Sequence, residues 1–207
     1  MKYDMHHLEL ILDQSGSMQG INDSTYAGAR ELIADLRDDG TVRLSTFNSS
    51  LRQGTTMTKE EALAACHAGR CDGTTALYDA ICTTLHRLLQ QPPSAAEGAV
   101  VVAIVTDGVE NASRSFTRAD VRSLVKRAHD RGWRVTFLGA NQDAVMTAES
   151  FGIRRARALS YGTTDHEVRE CFRALSASNR RFASGEDEAF TEAERVSSLG
   201  VPSCGPP

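Results

Sequence analysis

Residues 100–105 read Val-Val-Val-Ala-Ile-Val, an almost unbroken β-branched run with no polar position to turn toward water. Such a run is too short for a buried helix and is apolar on both sides, which is the pattern of a central strand covered on both faces. A sheet covered on both faces needs helices returning over it, and the surrounding sequence supplies them. Residues 8–12 form an apolar run ending at Asp13, residues 41–47 alternate through Val42 and Leu44, and residues 135–138 repeat the theme. Between these segments, apolar residues recur at helical spacing at Tyr26, Ala29, Ile33 and Leu36, at Leu77, Ile81, Leu85 and Leu88, and at Val121, Leu124, Val125 and Ala128. Alternating strand and helix predicts an α/β fold, doubly wound, with a mostly parallel central sheet and helices on both faces.

Local end signals agree with these assignments. Thr58 with Glu61 and Thr117 with Asp120 have the spacing of helix-opening caps, Gly132 ends the helix begun at Thr117, and Pro92-Pro93-Ser94 breaks the third helix ahead of the central strand. A last amphipathic helix is expected over about residues 165–182. At 207 residues the chain suits one domain, placed at residues 4–182, with a weakly structured tail at 183–207.

The formal charge of -4 provides no global attraction to nucleic acid or to an anionic membrane. No apolar stretch approaches the roughly 18 residues of a spanning helix, and residues 1–7 lack a secretory pattern, so cytoplasmic residence is the expectation. Cys66, Cys71, Cys82, Cys171 and Cys204 form an odd set without paired spacing, which suits reduced thiols.

Three polar segments fall where the predicted fold brings loops together. Asp13-Gln14-Ser15-Gly16-Ser17 follows the first strand, Asp72-Gly73-Thr74 precedes the third helix, and Asp107-Gly108 follows the central strand. In open α/β sheets such loops converge outside the carboxyl ends of the strands, where the winding reverses. Asp13, Ser15, Ser17, Thr74 and Asp107 offer hard oxygen donors with no sulfur or imidazole, the donor set of Mg2+ or Mn2+. Alternate spacing points Asp13, Ser15 and Ser17 to one side. Two carboxylates and three neutral hydroxyls would leave a divalent ion incompletely neutralised where one Asp binds through water, and such an ion seeks another anionic oxygen.

Asp13-Gln14-Ser15-Gly16-Ser17-Met18, residues 72–80 from Asp72-Gly73-Thr74-Thr75 to Tyr78-Asp79-Ala80, and Thr106-Asp107-Gly108 together resemble the von Willebrand factor A family. The resemblance covers nearly the whole predicted domain. It identifies the three segments with a metal-ion-dependent adhesion site and implies metals at Asp13, Ser15, Ser17, Thr74 and Asp107. It also implies binding without turnover: the ion takes up an Asp or Glu carboxylate of a protein partner, which in intracellular relatives is often an AAA+ ATPase or a multiprotein complex. Asp72 stands where many members carry glycine, and adjacent Thr75 offers a second hydroxyl. The segment Gly139-Ala140-Asn141-Gln142-Asp143-Ala144 resembles one in small bacterial members and is expected at the same edge, with Asn141 capping the next helix.

Two other readings start from the same residues. Asp13 as a nucleophile with Mg2+ at Asp107 would make a phosphoester hydrolase, but Ser15 occupies the position where that chemistry places a second Asp as acid and base. A hydrated ion tying the loops together would be purely structural. The basic series Arg114, Arg118, Arg122 and Lys126 reads first as a solvated helix face, and the cluster Arg154, Arg155 and Arg157 lacks the aromatic neighbours of a single-strand nucleic-acid site.

Overall fold

The computed structural model describes residues 5–91, 99–140, 143–186 and 189–201. Its centre is a mixed sheet of β1 (Met5–Asp13), β2 (Thr41–Phe47), β3 (Leu51–Arg52), β4 (Thr56–Thr58), β5 (Ala99–Thr106), β6 (Arg134–Ala140) and β7 (Ala158–Tyr161). The strand order is β3-β2-β1-β5-β6-β7, with β4 also pairing β2. Pairings β2-β1, β1-β5, β5-β6 and β6-β7 are parallel, whereas β3 and β4 run antiparallel to β2.

Helices cover both faces. One core gathers Leu8, Leu10 and Leu12 of β1 with alternate residues Val101, Ala103 and Val105 of β5, under α1 (Asn22–Ala34) and the later α6 (Asp165–Ser184). The opposite core joins Ile11, Val102, Ile104 and Phe137 to α3 (Leu77–Gln90), α4 (Arg118–Asp130) and α5 (Ala144–Ser150), while a short α2 (Lys59–Ala65) lies beside β2. Residues 101–105 therefore occupy the buried position their composition predicts, with Val100 half-buried at the strand's start and each face feeding a different core. The two local caps also form: Thr58 and Glu61 open α2, and Thr117 and Asp120 open α4, as reciprocal capping boxes.

Glu9 interrupts the apolar reading of β1 and is fully buried. Its carboxylate accepts from Arg87 of α3 at 2.7 Å, lies 3.8 Å from Arg43 Nε of β2, and is flanked by His7 at 3.4 Å. A charge can sit there only because guanidinium groups from two other elements meet it.

The expected weak tail is corrected over residues 189–201. α6 extends to Ser184 and ends on Gly185 in the left-handed conformation, after which Phe190 is buried and α7 (Glu192–Ser197) forms under a Thr191–Glu194 capping box. Arg181 clamps Glu194 at 2.8 and 3.0 Å, and Arg195 donates to the Ala158 carbonyl at 2.9 Å, so the segment is held against α6 and β7. Composition suggested solvation; an aromatic anchor and a second arginine clamp decide otherwise. The expected break at Pro92-Pro93-Ser94, the cap at Asn141 and the terminal residues 202–207 lie outside the described residues. The side-chain cap of α5 among the described residues is Asp143, whose Oδ1 accepts from Met146 N at 2.9 Å.

Candidate metal centre

The chain leaves β1 toward β2 on one side and later enters β5 on the other, so the carboxyl ends of β1 and β5 adjoin at the point where the winding reverses. Asp13 is the last residue of β1 and Asp107 the first after β5. Asp13 is fully buried: its Oδ1 accepts from Ser15 N at 2.7 Å and its Oδ2 from the Thr106 hydroxyl at 2.6 Å. Ser17 Oγ donates to Asp107 Oδ1 at 2.6 Å. Ser15 Oγ and Ser17 Oγ lie 3.1 Å apart, and since Ser17 has committed its proton to Asp107, Ser15 donates in that pair.

The route to this convergence differs from strict alternation. Asp13 ends in extended backbone, but Gly16–Gly20 is a 3-10 helix, and Ser17 meets Ser15 through that turn. Ser15 is buried and Ser17 exposed, so the group is closed on the sheet side and open toward solvent.

Of the two adjacent threonines, the structure turns the other one inward. Thr74 is exposed, and its hydroxyl pairs with Ser49 Oγ at 2.9 Å, away from the carboxylates. Thr75 is buried: a Cβ placed on Gly108 would lie 2.7 Å from Thr75 Oγ1 and 3.4 Å from Asp13 Oδ2, so that hydroxyl and that carboxylate border the same small space. Expecting Thr74 beside Asp13, Ser15, Ser17 and Asp107 is thus corrected to Thr75. The reason is backbone geometry. Gly73 adopts φ of +74°, which rotates the following residues, and Asn111 then pins Thr75 by donating N–H to its carbonyl at 3.1 Å and accepting its N–H at 2.8 Å. Gly108 has no side chain to fill the shared space.

Asp72 also faces elsewhere. Its carboxylate accepts from Asn48 at 2.9 Å and lies 3.3 Å from Arg70 Nε, while its N–H donates to the Gln14 carbonyl at 3.0 Å. Its charge is spent on a neighbouring cleft.

Two acids not assigned to the site from sequence hold its loops. Asp79 accepts from the N–H groups of Arg114, Ser115 and Phe116 at 2.9, 3.0 and 2.9 Å, and Glu110 accepts from Tyr78 N at the start of α3 at 2.9 Å. Together they strap the loop after β5 to the first turn of α3, joining the segments that carry Asp107 and Thr75. Asp79→Ala leaves three N–H groups without their acceptor and is expected to cost about 2–4 kcal/mol in denaturant unfolding.

The donor set suits a hard divalent cation. Asp13, Ser15, Ser17, Thr75 and Asp107 offer only oxygen, and among the described residues no cationic side chain meets either carboxylate. Burial pushes both carboxyls above their ordinary range; for Asp13 the Thr106 and Ser15 hydrogen bonds oppose this and the Asp107 charge reinforces it. Two desolvated anions near each other are stabilised by a positive ion.

A family model for "VWA domain containing CoxE-like protein" matches residues 4–167. The chain belongs to this family. Among solved structures, this VWA chain is similar to proximal thread matrix protein 1 from the mussel byssus, in a structure with a zinc-occupied MIDAS motif, at 13% identity and a TM-score of 0.67, covering 86% of this chain and 47% of that one. It is similar to a von Willebrand factor type A protein from Catenulispora acidiphila at 17% identity and a TM-score of 0.62, covering 86% and 43%. Manganese-loaded TRAP protein from Plasmodium vivax aligns at 20% identity and a TM-score of 0.57, covering 74% and 65%. At such identities the likeness establishes the fold, and the VWA chain spans less than half the length of the first two. No curated protein matches the sequence. No helix among the described residues is long and apolar enough to cross a membrane.

The basic series predicted on α4 is exposed, with Lys126 paired to Asp130 at 2.7 Å and Arg118 reaching the Tyr78 hydroxyl at 3.5 Å. Cys66, Cys82 and Cys171 are buried free thiols, and Cys71 is half-buried.

Proposed function

We propose that this VWA domain is a metal-dependent protein-binding module: Asp13, Ser15, Ser17, Thr75 and Asp107 hold Mg2+ or Mn2+, and the ion takes an Asp or Glu carboxylate from a protein partner. The observation that carries this reading is the asymmetry of the donor group. Asp13 and Ser15 are buried beneath it, while Ser17 is exposed above, so the free side of a bound ion would face solvent. Bound there, the ion supplies positive charge for charge-assisted recognition of an anionic oxygen. A rigid sheet edge adds fixed orientation. The ion-bearing relatives, the zinc-occupied mussel protein and manganese-loaded TRAP, share the fold and so support the placement. Reduced thiols at Cys66, Cys82 and Cys171 accord with a cytoplasmic setting.

A phosphoester hydrolase built on Asp13 is disfavoured by the same geometry. Attack on phosphorus by Asp13 would need an acid-base carboxylate two residues on, and position 15 supplies only the buried Ser15 hydroxyl.

The test is calorimetric titration with Mg2+ and Mn2+ of the unsubstituted chain, Thr75→Ala and Thr74→Ala. Thr75→Ala is expected to weaken metal binding about tenfold or more, by loss of one oxygen donor, with Thr74→Ala near the starting value. The reverse order would return the hydroxyl role to Thr74. Capture of a glutamate-bearing peptide that persists undiminished in chelator would overturn the metal-dependent reading.

A further inference from the structure

We propose that the cleft beside the metal centre is a second acidic subsite, so that the partner is a segment carrying two carboxylates, one for the ion and one for Arg52 and Arg70. This rests on the metal-binding reading above and names the partner's chemistry.

The cleft has a volume of about 600 Å³ and lies between the β2–β3–β4 edge and the loop that follows α2. Gln14, the residue between Asp13 and Ser15, forms part of its wall and donates to the Tyr26 hydroxyl at 2.8 Å. The cleft therefore begins within one residue of the proposed ligands, and the Asp72 N–H bond to the Gln14 carbonyl at 3.0 Å ties its far wall to the metal loop. A chain seated on the ion would have this cleft next to it.

Charge selects what enters. The lining holds Arg52 and Arg70 against a single acid, Asp72, in a chain whose formal charge is -4. Arg52 is exposed, and its guanidinium makes no hydrogen bond or ion pair among the described residues. Arg70 meets Asp72 at 3.3 Å, but its side chain is 87% exposed, so that pair is weak and exchangeable. Asp72 keeps Asn48 as a partner when Arg70 turns to an incoming carboxylate. One unpaired guanidinium and one loosely held guanidinium suit a planar bidentate acid better than an apolar or cationic group.

The test uses the full chain and equal-length Gly/Ser peptides with blocked ends, carrying no Glu, one Glu, or two Glu separated by one to four residues. Fluorescence anisotropy is read in Mg2+ and in chelator, for the unsubstituted chain and for Arg52→Gln/Arg70→Gln, with Mg2+ affinity measured separately. The best-spaced two-Glu peptide is expected to bind about tenfold tighter than the one-Glu peptide, and the double variant to lose that gain while keeping one-Glu binding and Mg2+ affinity. The subsite is overturned if no spacing improves on one Glu, or if the double variant keeps the full gain. One-Glu binding that fails in Mg2+, with arginine-dependent two-Glu binding that survives chelator, would overturn the metal reading and leave the arginine-lined cleft standing. Binding by no peptide would overturn both.

Discussion

Asp13→Asn is expected to abolish Mg2+ and Mn2+ binding, a loss of more than about a hundredfold in affinity, in a chain that still folds. Asparagine matches the shape of aspartate and its Oδ1 can still accept from Ser15 N, while its Nδ2 would donate to the Thr106 hydroxyl that now donates to Asp13; the charge disappears. The sign of the accompanying stability effect follows from burial. Asp13 and Asp107 are both held above their ordinary range by desolvation. A carboxyl raised in the fold favours the folded state fully below its unfolded value, and that contribution is lost as pH rises through the folded value. Burial thus makes ionising these two carboxyls unfavourable in the metal-free protein, a cost that a cation relieves. Mg2+ should raise the melting temperature of the unsubstituted chain at neutral pH, chelator should lower it, and the difference should shrink under acid conditions as protons replace the ion. For Asp13→Asn, melts with and without Mg2+ should coincide. Mg2+ affinity unchanged in this variant would remove Asp13 from the site.

Glu9→Gln acts at the middle of the same strand. It leaves Arg87 and Arg43 facing a neutral amide in a place closed to water, at an expected cost of about 3–5 kcal/mol, or about 10 °C in Tm for a domain of this size. The balance is already tight: Arg43 Nε and Arg87 Nε and Nη1 have no hydrogen-bond partner, and burial, with Arg87 nearby, pulls the Arg43 guanidinium down from its ordinary value. Restoring balance by removing one cation, in Glu9→Gln/Arg87→Gln, should recover part of the loss. Metal affinity should hold in both variants, because Glu9 lies four residues, about 13 Å of extended strand, from Asp13. A Tm within about 2 °C of the unsubstituted chain for Glu9→Gln would mean that the carboxylate does not balance those arginines.

Neighbours in sequence determine features that neighbours in sequence can report. The β-branched run at 100–105, the caps at Thr58 and Thr117, and the helical spacing of Leu77 to Leu88 depend on residues within one or two turns, and they placed strands, helices and the parallel α/β class. Ordered oxygen-bearing residues at Asp13, Ser15, Ser17 and Asp107 likewise marked oxygen donors that the fold brings together, because donor type is a property of the residue itself. The short strands β3, β4 and β7 had no such signal, being two to four residues long and stabilised by pairing with distant chain.

Side-chain direction and long-range pairing belonged to the tertiary structure. Thr74 and Thr75 are equivalent as hydroxyls, and only the Gly73 turn and the clamp by Asn111 turn Thr75 toward Asp13. Asp72, standing where many family members carry glycine, is drawn into the adjoining cleft by Asn48 and Arg70. The segment after α6 read as solvated, yet Phe190 and the Arg181–Glu194 pair hold it down. In each case the chemistry was written locally, but a contact between segments far apart in sequence chose where it pointed.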